Sequence, residues 1–308
     1  MFVAAVAGLV VSLAARLQWT AWPVELVSNF PVQLFIVGFL VTIAATLVRS
    51  PISAVLAAAT AVISGLTVAG TLFTDAPAAR PNGARITIGH LNAQSRSVDV
   101  GALGAYLERE RPDVFVVLDP LQSDVQAFGR AAPGFTETVT GSRQERPANY
   151  VRAVVLSRIA LTGVAHPPDR AFGASAVEMT IPSGDGPVAA VVFGTDSPTT
   201  PARAHNRDRS LNAAARWSRV HGPRRIIEGD FNATPWSPSF KRLVDDGRLI
   251  NSLDGFGLQV SWPESNVLLR IPIDHALLGP GLATTDRGTG PSFGSQHRSL
   301  HVTVAPAR

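Results

Sequence analysis

The sequence predicts three membrane-spanning helices followed by a water-soluble α/β domain in which packed sheets are covered by helices. Three observations lead there. Charge is sparse at the amino-terminal end, where residues 1–80 hold only Arg16, Arg49 and Arg80 of 27 basic residues and Glu25 and Asp75 of 23 acidic ones. Long apolar runs fill that region, whereas beyond residue 85 they shorten to strand length between turn residues. Helix-like stretches are few there and interleave with the strands in mixed order, as sheets covered by helices require.

The first run, 1–15, gives ~22 Å of helix at ~1.5 Å per residue and crosses a ~30 Å hydrocarbon layer if Arg16 snorkels and 17–19 complete the turn. It lacks a basic leader, and Trp19 and Trp22 stand where interfacial anchors belong, so it reads as a retained span rather than a cleaved signal. Residues 30–48 form a second run with Gln33 as the strongly polar member. Residues 52–73 carry no charge and give ~33 Å of helix. Arg49, Ser50 and Pro51 form a tight reversal between the last two runs, and Arg49 marks the inner side. Counting from it, the amino terminus lies inside and the large domain outside, making a multi-pass cell-membrane protein with an extracytoplasmic domain. Residues 75–84, with Pro77, Pro81 and Gly83, read as a linker between an anchor, 1–74, and a domain, 85–308.

The formal charge is +4, and Lys241 is the only lysine. Without a dense basic run the surface reads as mixed and solvated, and nucleic acid is not favoured as a partner. Arg143, Arg146, Asn149 and Arg152 read as scattered surface groups around a loop and strand. The absence of cysteine excludes disulfides, thiolate zinc sites and cysteine nucleophiles. His90, His166, His205, His221 and His301 do not fall at zinc-binding spacings.

In the soluble part, strands are expected over 85–91, 113–118, 152–156, 174–181, 187–193, 225–228, 273–278 and 300–304. Helices are expected over 98–111, 203–220 and 238–245, the last opened by Ser237 as cap with Pro238 in the first turn. The stretch Gly229-Asp230-Phe231-Asn232 follows a buried strand, and Asp230 and Asn232, two apart, would share a side in extended chain. A carboxylate and an amide at a strand end suit holding a phosphate or an attacking water. Asn92, Asp119, Asp196 and Asp274 also stand at strand ends, and His297 precedes the final strand. Such a series points to one cleft where strand ends meet. His275 follows Asp274 on its strand and should face the other way.

The stretch Gly229-Asp230-Phe231-Asn232-Ala233-Thr234-Pro235-Trp236-Ser237, with the strand-end series, resembles the endonuclease/exonuclease/phosphatase superfamily over about 85–304. The preceding apolar runs make the chain similar to its membrane-anchored branch, that of the VanJ-type teicoplanin-resistance proteins. The resemblance implies a four-layered α/β sandwich and divalent-metal-dependent phosphoesterase action, with Mg²⁺ or Mn²⁺, on lipid-linked cell-envelope intermediates. It implies that Asn92 and Asp119 bind the ion, Asp119 standing where the family has a glutamate. Asp230 and Asn232 would position the water and stabilise the transition state, and Asp274 and His297 would form the family's Asp–His dyad. The chain departs from the pattern at Asp196, where a phosphate-contacting histidine is usual, and at Gln296, which replaces an aspartate on the metal side. Fewer carboxylates mean weaker hold on a hard divalent ion. The expected function is therefore a membrane-tethered phosphoesterase acting on a phosphate or pyrophosphate ester. The competing expectation, kept open by Asp119, Asp196 and Gln296, is a binding or scaffold protein on the same fold.

Overall fold

The apolar amino-terminal runs fold as α1 (Phe2–Arg16), α3 (Pro31–Leu47) and α4 (Pro51–Leu72), with a single turn, α2 (Val24–Val27), between the first two. The computed structural model describes residues 1–17, 22–142, 151–173 and 175–308, so Trp19, Arg143, Arg146 and Asn149 lie outside the described residues. Among these, α4, with 22 residues and ~33 Å of length, is the one helix long and apolar enough to cross a membrane. The expectation of three complete spans is corrected on this point. Helix α1 has 15 residues and α3 has 17, which gives ~22 and ~26 Å. Apolar composition runs past the helix ends: Arg49 turns left-handed (φ 57°) to make the reversal, and α3 stops at Leu47.

The three helices pack through small residues. Ala5, Ser12 and Ala14 of α1, Gly38 and Ala45 of α3, and Ser53, Ala57, Thr60, Ala61 and Ser64 of α4 are buried. A Cβ at Gly38 would sit 2.9 Å from the Ala61 nitrogen, so the backbones of α3 and α4 touch only because that position is glycine. Phe35, Ile36, Val37, Phe39 and Leu40 of α3 and Val55, Val62 and Leu66 of α4 face outward and are exposed.

In the domain, one sheet contains β1 (Ile86–Asn92), β2 (Val114–Leu118), β3 (Thr136–Ser142), β4 (Val151–Ser157), β11 (Leu282–Thr289) and β12 (Leu300–Pro306), in the order β11-β12-β1-β2-β4-β3. The other contains β5 (Thr162–Ala165), β6 (Val177–Ile181), β7 (Val188–Gly194), β8 (Arg225–Asp230), β9 (Ile250–Asn251) and β10 (Asp274–Leu278), in the order β5-β6-β7-β8-β10-β9. Both are mixed: β1 runs parallel to β2, and β7 to β8, while the other pairings are antiparallel.

Alternation along the strands sorts the core into three layers. Ile88, Val116, Val192, Ile226, Ala276 and Val302 meet between the sheets. Leu91, Phe115 and Val117 face outward onto Leu103 and Leu107 of α5 (Val100–Glu110) and Phe128 of α6 (Gln122–Ala131). Phe193, Ile227 and Leu277 face Leu211 and Trp217 of α7 (Pro201–Val220) and Phe240 and Leu243 of α8 (Pro238–Gly247). Helix, sheet, sheet and helix thus form four layers.

Two attachments join the apolar helices to this sandwich. Residues 75–84, read as a linker, are pinned by an Ala79–Ala307 bridge, an Arg80 N–H to Pro306 carbonyl bond of 2.7 Å and an Arg80–Asp185 ion pair. The second attachment is the α2 segment. Both Glu25 carboxylate oxygens accept from Arg207 Nη2, at 2.9 and 2.7 Å, and Ser239 Oγ donates to Glu25 at 2.9 Å. Asn29 Oδ1 accepts from the Thr234 N–H and hydroxyl, each at 2.9 Å, and Trp22 Nε1 donates to the Pro198 carbonyl at 3.1 Å.

Candidate active site

The inter-sheet face of three strands turns polar at one end of the sandwich. Along β1 the inward positions read Ile86, Ile88, His90, Asn92, and along β8 they read Ile226, Glu228, Asp230. Asp274 opens β10 directly opposite Asp230. Each is buried. A buried polar group must find partners, and these find one another.

The result is a chain of alternating carboxylates and imidazoles. His90 Nδ1 lies 2.8 Å from Glu228 Oε1 and its Nε2 3.2 Å from Asp274 Oδ1. Asp274 Oδ2 meets His297 Nδ1 at 2.8 Å, and His297 Nε2 stands 3.7 Å from Asp230 Oδ2. Asp230, Asp274 and His297 form the one group of three acids or histidines close enough to share an ion among the described residues, with donor atoms within 4.8 Å of one another.

Electrostatics follow from this order. Burial would lower the His90 pKa, but hydrogen bonds to Asp274 and Glu228 raise it to about 9. Burial likewise works against His297, and the charges of Asp274 and Asp230 raise it instead. Against the upward push of its own burial, His297 and His90 hold Asp274 far below the usual carboxylate range. Asp230 goes the other way, to about 6, because burial, reinforced by Asp274, outweighs the pull of His297. Two neighbouring carboxylates thus separate into a permanently ionised one and one poised near neutrality.

Asp230 is surrounded by donors. Asn92 Nδ2 reaches its Oδ2 at 2.9 Å, the Asn232 N–H its Oδ1 at 2.9 Å, and Asn232 Nδ2 its Oδ2 at 3.0 Å. Asn232 does not get there by extended alternation, as the spacing suggested: β8 ends at Asp230 and Asn232 is left-handed, φ 46°. Arg207 Nη1 holds the Asn232 carbonyl at 3.5 Å. Gly229 precedes Asp230 with φ +140°, and a Cβ there would stand 1.9 Å from the Phe193 carbonyl oxygen.

An open cleft of about 370 Å³ lies beside this cluster, lined by Asn92, Asp119, Ser175, Asp196, Arg170 and Arg209 among others. Asp119 follows β2 and accepts a hydrogen bond from the Ser175 hydroxyl. Asp196 is exposed and accepts from Asn206 Nδ2 at 3.1 Å. Gln296 gives its backbone carbonyl to the Glu264 N–H at 2.8 Å and is half-buried beside His297. The structure therefore brings Asn92, Asp230, Asn232, Asp274 and His297 into mutual contact, and places Asp119 and Asp196 on the wall of the adjoining cleft. His275 faces the outer helices, its ring tilted against that of Phe240 (4.6 Å between ring centres), and burial lowers its pKa to about 3.

His90 and Glu228 were missed, although each lies two residues before a named site residue on the same strand, where alternation places it on the same face. Gln94, whose Nε2 lies 2.7 Å from His297 Nε2, gave no pattern of its own.

The fold has solved counterparts. An endonuclease/exonuclease/phosphatase family protein from Bacteroides thetaiotaomicron superposes with a TM-score of 0.57 at 15% identity, covering 73% of this chain and 98% of that one. A mannosyl-6-phosphatase from the same organism gives 0.56 at 15% identity, over 71% and 99% of the two chains. The 3′ phosphatase of Neisseria, bound to a product DNA hairpin, gives 0.56 at 16% identity over 70% and 98%. At such identities the likeness is one of fold. No curated protein matches the chain. The sequence model of the Endonuclease/Exonuclease/phosphatase family matches residues 89–297, from the first strand to the histidine of the Asp–His pair. With that match over most of its length, and with the four-layered sandwich its strands build, the chain belongs to the endonuclease/exonuclease/phosphatase family.

Proposed function

We propose that the protein is a membrane-tethered phosphoesterase that hydrolyses a phosphate or pyrophosphate ester, on a lipid-linked substrate of the kind handled by the VanJ-type branch. The observation that carries the hydrolytic reading is Asp230: a buried carboxylate with a pKa of about 6, held by two asparagine amides and facing an imidazole. In its ionised form it accepts a proton from water, while a protonated His297, backed by Asp274, offers charge to a phosphoryl oxygen. Asn232 Nδ2 bonds to Asp230 and to the Thr195 carbonyl (3.0 Å), which fixes its amide beside the reacting group. Arg170 and Arg209 on the cleft wall suit a second phosphate, which favours a pyrophosphate.

Asn92 and Asp119 line the cleft and Asp230 lies behind Asn92, hydrogen bonded to its amide; their oxygens fit a hard divalent ion such as Mg²⁺ or Mn²⁺ rather than a thiophilic one. Bound there, the ion would polarise a phosphoryl oxygen. In this reading Gln296 stands on the metal side without adding charge.

Support for the membrane comes from the inside-out order of the helical bundle. Its interior is alanine, glycine, serine and threonine, and its large apolar side chains point outward. Ser12 and Ser64 hydrogen bond within it at 3.0 Å. Water would reject that surface and lipid accepts it. Helix α4 crosses the layer, with α1 and α3 packed along it.

The test is hydrolysis by the full chain in lipid nanodiscs, with Mg²⁺ or Mn²⁺, of a small phosphomonoester, a polyprenyl pyrophosphate and a DNA duplex. The polyprenyl pyrophosphate should turn over, Asp274→Asn should lose most activity while staying folded, and Gln296→Asp should lower the metal concentration required. A folded protein that turns over none of the three, with or without Gln296→Asp, would replace this reading with a binding or scaffold role.

A further inference from the structure

The chain from Ser261 to Ile271 doubles back on itself. Trp262 and Ile271 pair as an antiparallel bridge, and the tip between them is a short turn of helix, Val267–Leu269. Its three side chains are 72%, 84% and 49% exposed, unusual for consecutive valine and leucine residues. Several of the tip's backbone groups are nevertheless bonded. Asn266 Oδ1 accepts from the Leu268 and Leu269 N–H groups at 3.1 and 3.3 Å. Gln33 Nε2, in the first turn of α3, donates to the Leu268 and Arg270 carbonyls at 3.1 and 3.4 Å.

That last contact fixes where the tip stands. It abuts the domain-side end of α3, whose outward face continues from it as Phe35, Ile36, Phe39 and Leu40, all exposed. The charges nearest the tip are withdrawn to its base, where Arg270 Nη2 pairs with Glu264 at 3.1 Å. A protrusion with apolar side chains outside, much of its backbone already bonded and no charge at its end is what an apolar layer admits.

We propose that Val267, Leu268 and Leu269 dip into the apolar edge of the lipid bilayer, forming a contact separate from the anchor helices. The inference rests on the membrane reading given above. Its functional meaning lies at the hairpin's base. The Glu264 N–H bonds to the Gln296 carbonyl at 2.8 Å and the Arg298 N–H to the Ser261 carbonyl at 2.9 Å, so the residues on both sides of His297 are strapped to the hairpin. With the tip in lipid, the segment that carries His297 is held close to the bilayer surface, where a substrate phosphate can reach the site while its acyl or prenyl chain stays in the membrane.

Because the chain has no cysteine, a single introduced thiol labels one position. Leu268→Cys carries an environment-sensitive fluorophore on the full chain in nanodiscs, and Phe39→Cys on α3 and Val220→Cys on the domain serve as references. All three are exposed sites, so labelling should leave the fold intact. Nitroxide on the lipid acyl chains should remove most emission from the labels at 268 and 39, which should also be blue-shifted and shielded from iodide, while the label at 220 behaves oppositely. If the label at 268 follows 220 while that at 39 is quenched by lipid, the tip is not in the bilayer and the proposal falls, with the tethering intact. If the label at 39 also escapes lipid quenching, the membrane reading itself fails and takes this proposal with it.

Discussion

Removing the Glu25 carboxylate should loosen the protein in two places at once. Arg207 is fully buried, and its Nη2 bonds to both Glu25 oxygens, at 2.9 and 2.7 Å. In Glu25→Ala the guanidinium stays buried with Asp208 Oδ1 as its remaining carboxylate, at 2.8–3.0 Å. Breaking a buried pair from one side costs ~3–5 kcal/mol, and the surviving, partly exposed Asp208 offsets some of it, leaving ~2–4 kcal/mol. For a domain of this size that corresponds to a Tm lower by about 5–15 °C. The same guanidinium holds the Asn232 carbonyl, so kcat should fall more than KM rises. Thermal unfolding of the full chain in detergent and steady-state kinetics supply both readouts. A companion variant, Glu25→Leu with Arg207→Met, replaces the pair by apolar bulk and should recover much of the stability but not the activity. A Tm within about 2 °C of wild type for Glu25→Ala would refute the coupling, as would strictly additive losses in the double variant.

Stability should depend on pH through His90. Its pKa is raised from 6.5 to about 9 in the fold, so its contribution, on the order of 3 kcal/mol, is complete below about pH 6.5 and drains away as pH climbs through about 9. Unfolding at pH 6 and 9.5 should show a steeper loss for wild type than for His90→Asn, and equal slopes would contradict this. Gly229→Ala should unfold the site, because its Cβ would meet the Phe193 carbonyl oxygen at 1.9 Å, and circular dichroism of a normally stable variant would disprove the constraint. A reporter active only in the cytoplasm, fused after Arg308, should stay dark if the domain lies outside, and a bright signal would reverse the orientation.

How far the sequence reveals this structure depends on where the physical cause lies. Strand ends bearing Asn92, Asp230 and Asp274 were legible because alternation and turn chemistry are local. The strand β3, Thr-Glu-Thr-Val-Thr-Gly-Ser, was not, since its polar residues give no apolar period and its partner β4 defines it. The helix α6 was hidden by its low apolar content, and β9 has only two residues. Hydropathy located the three apolar helices to within a residue or two at each end but read α1 and α3 as complete spans, and they stop short at Arg16 and Leu47. The Glu25–Arg207 pair joins positions 182 apart, with nothing local to announce it.

The two attachments between the helices and the sandwich, at α2 and at 75–84, make the connection a mount rather than a leash. A domain on a flexible tether samples many orientations and sweeps a disc of membrane around its anchor. One bolted at two points separated along the chain gives up that sweep and presents its cleft at a single height and tilt. On the membrane reading proposed above, encounters would depend on lipids drifting laterally to a stationary opening, so turnover should respond to the fluidity of the surrounding bilayer, and a substrate free in water would gain nothing from the arrangement.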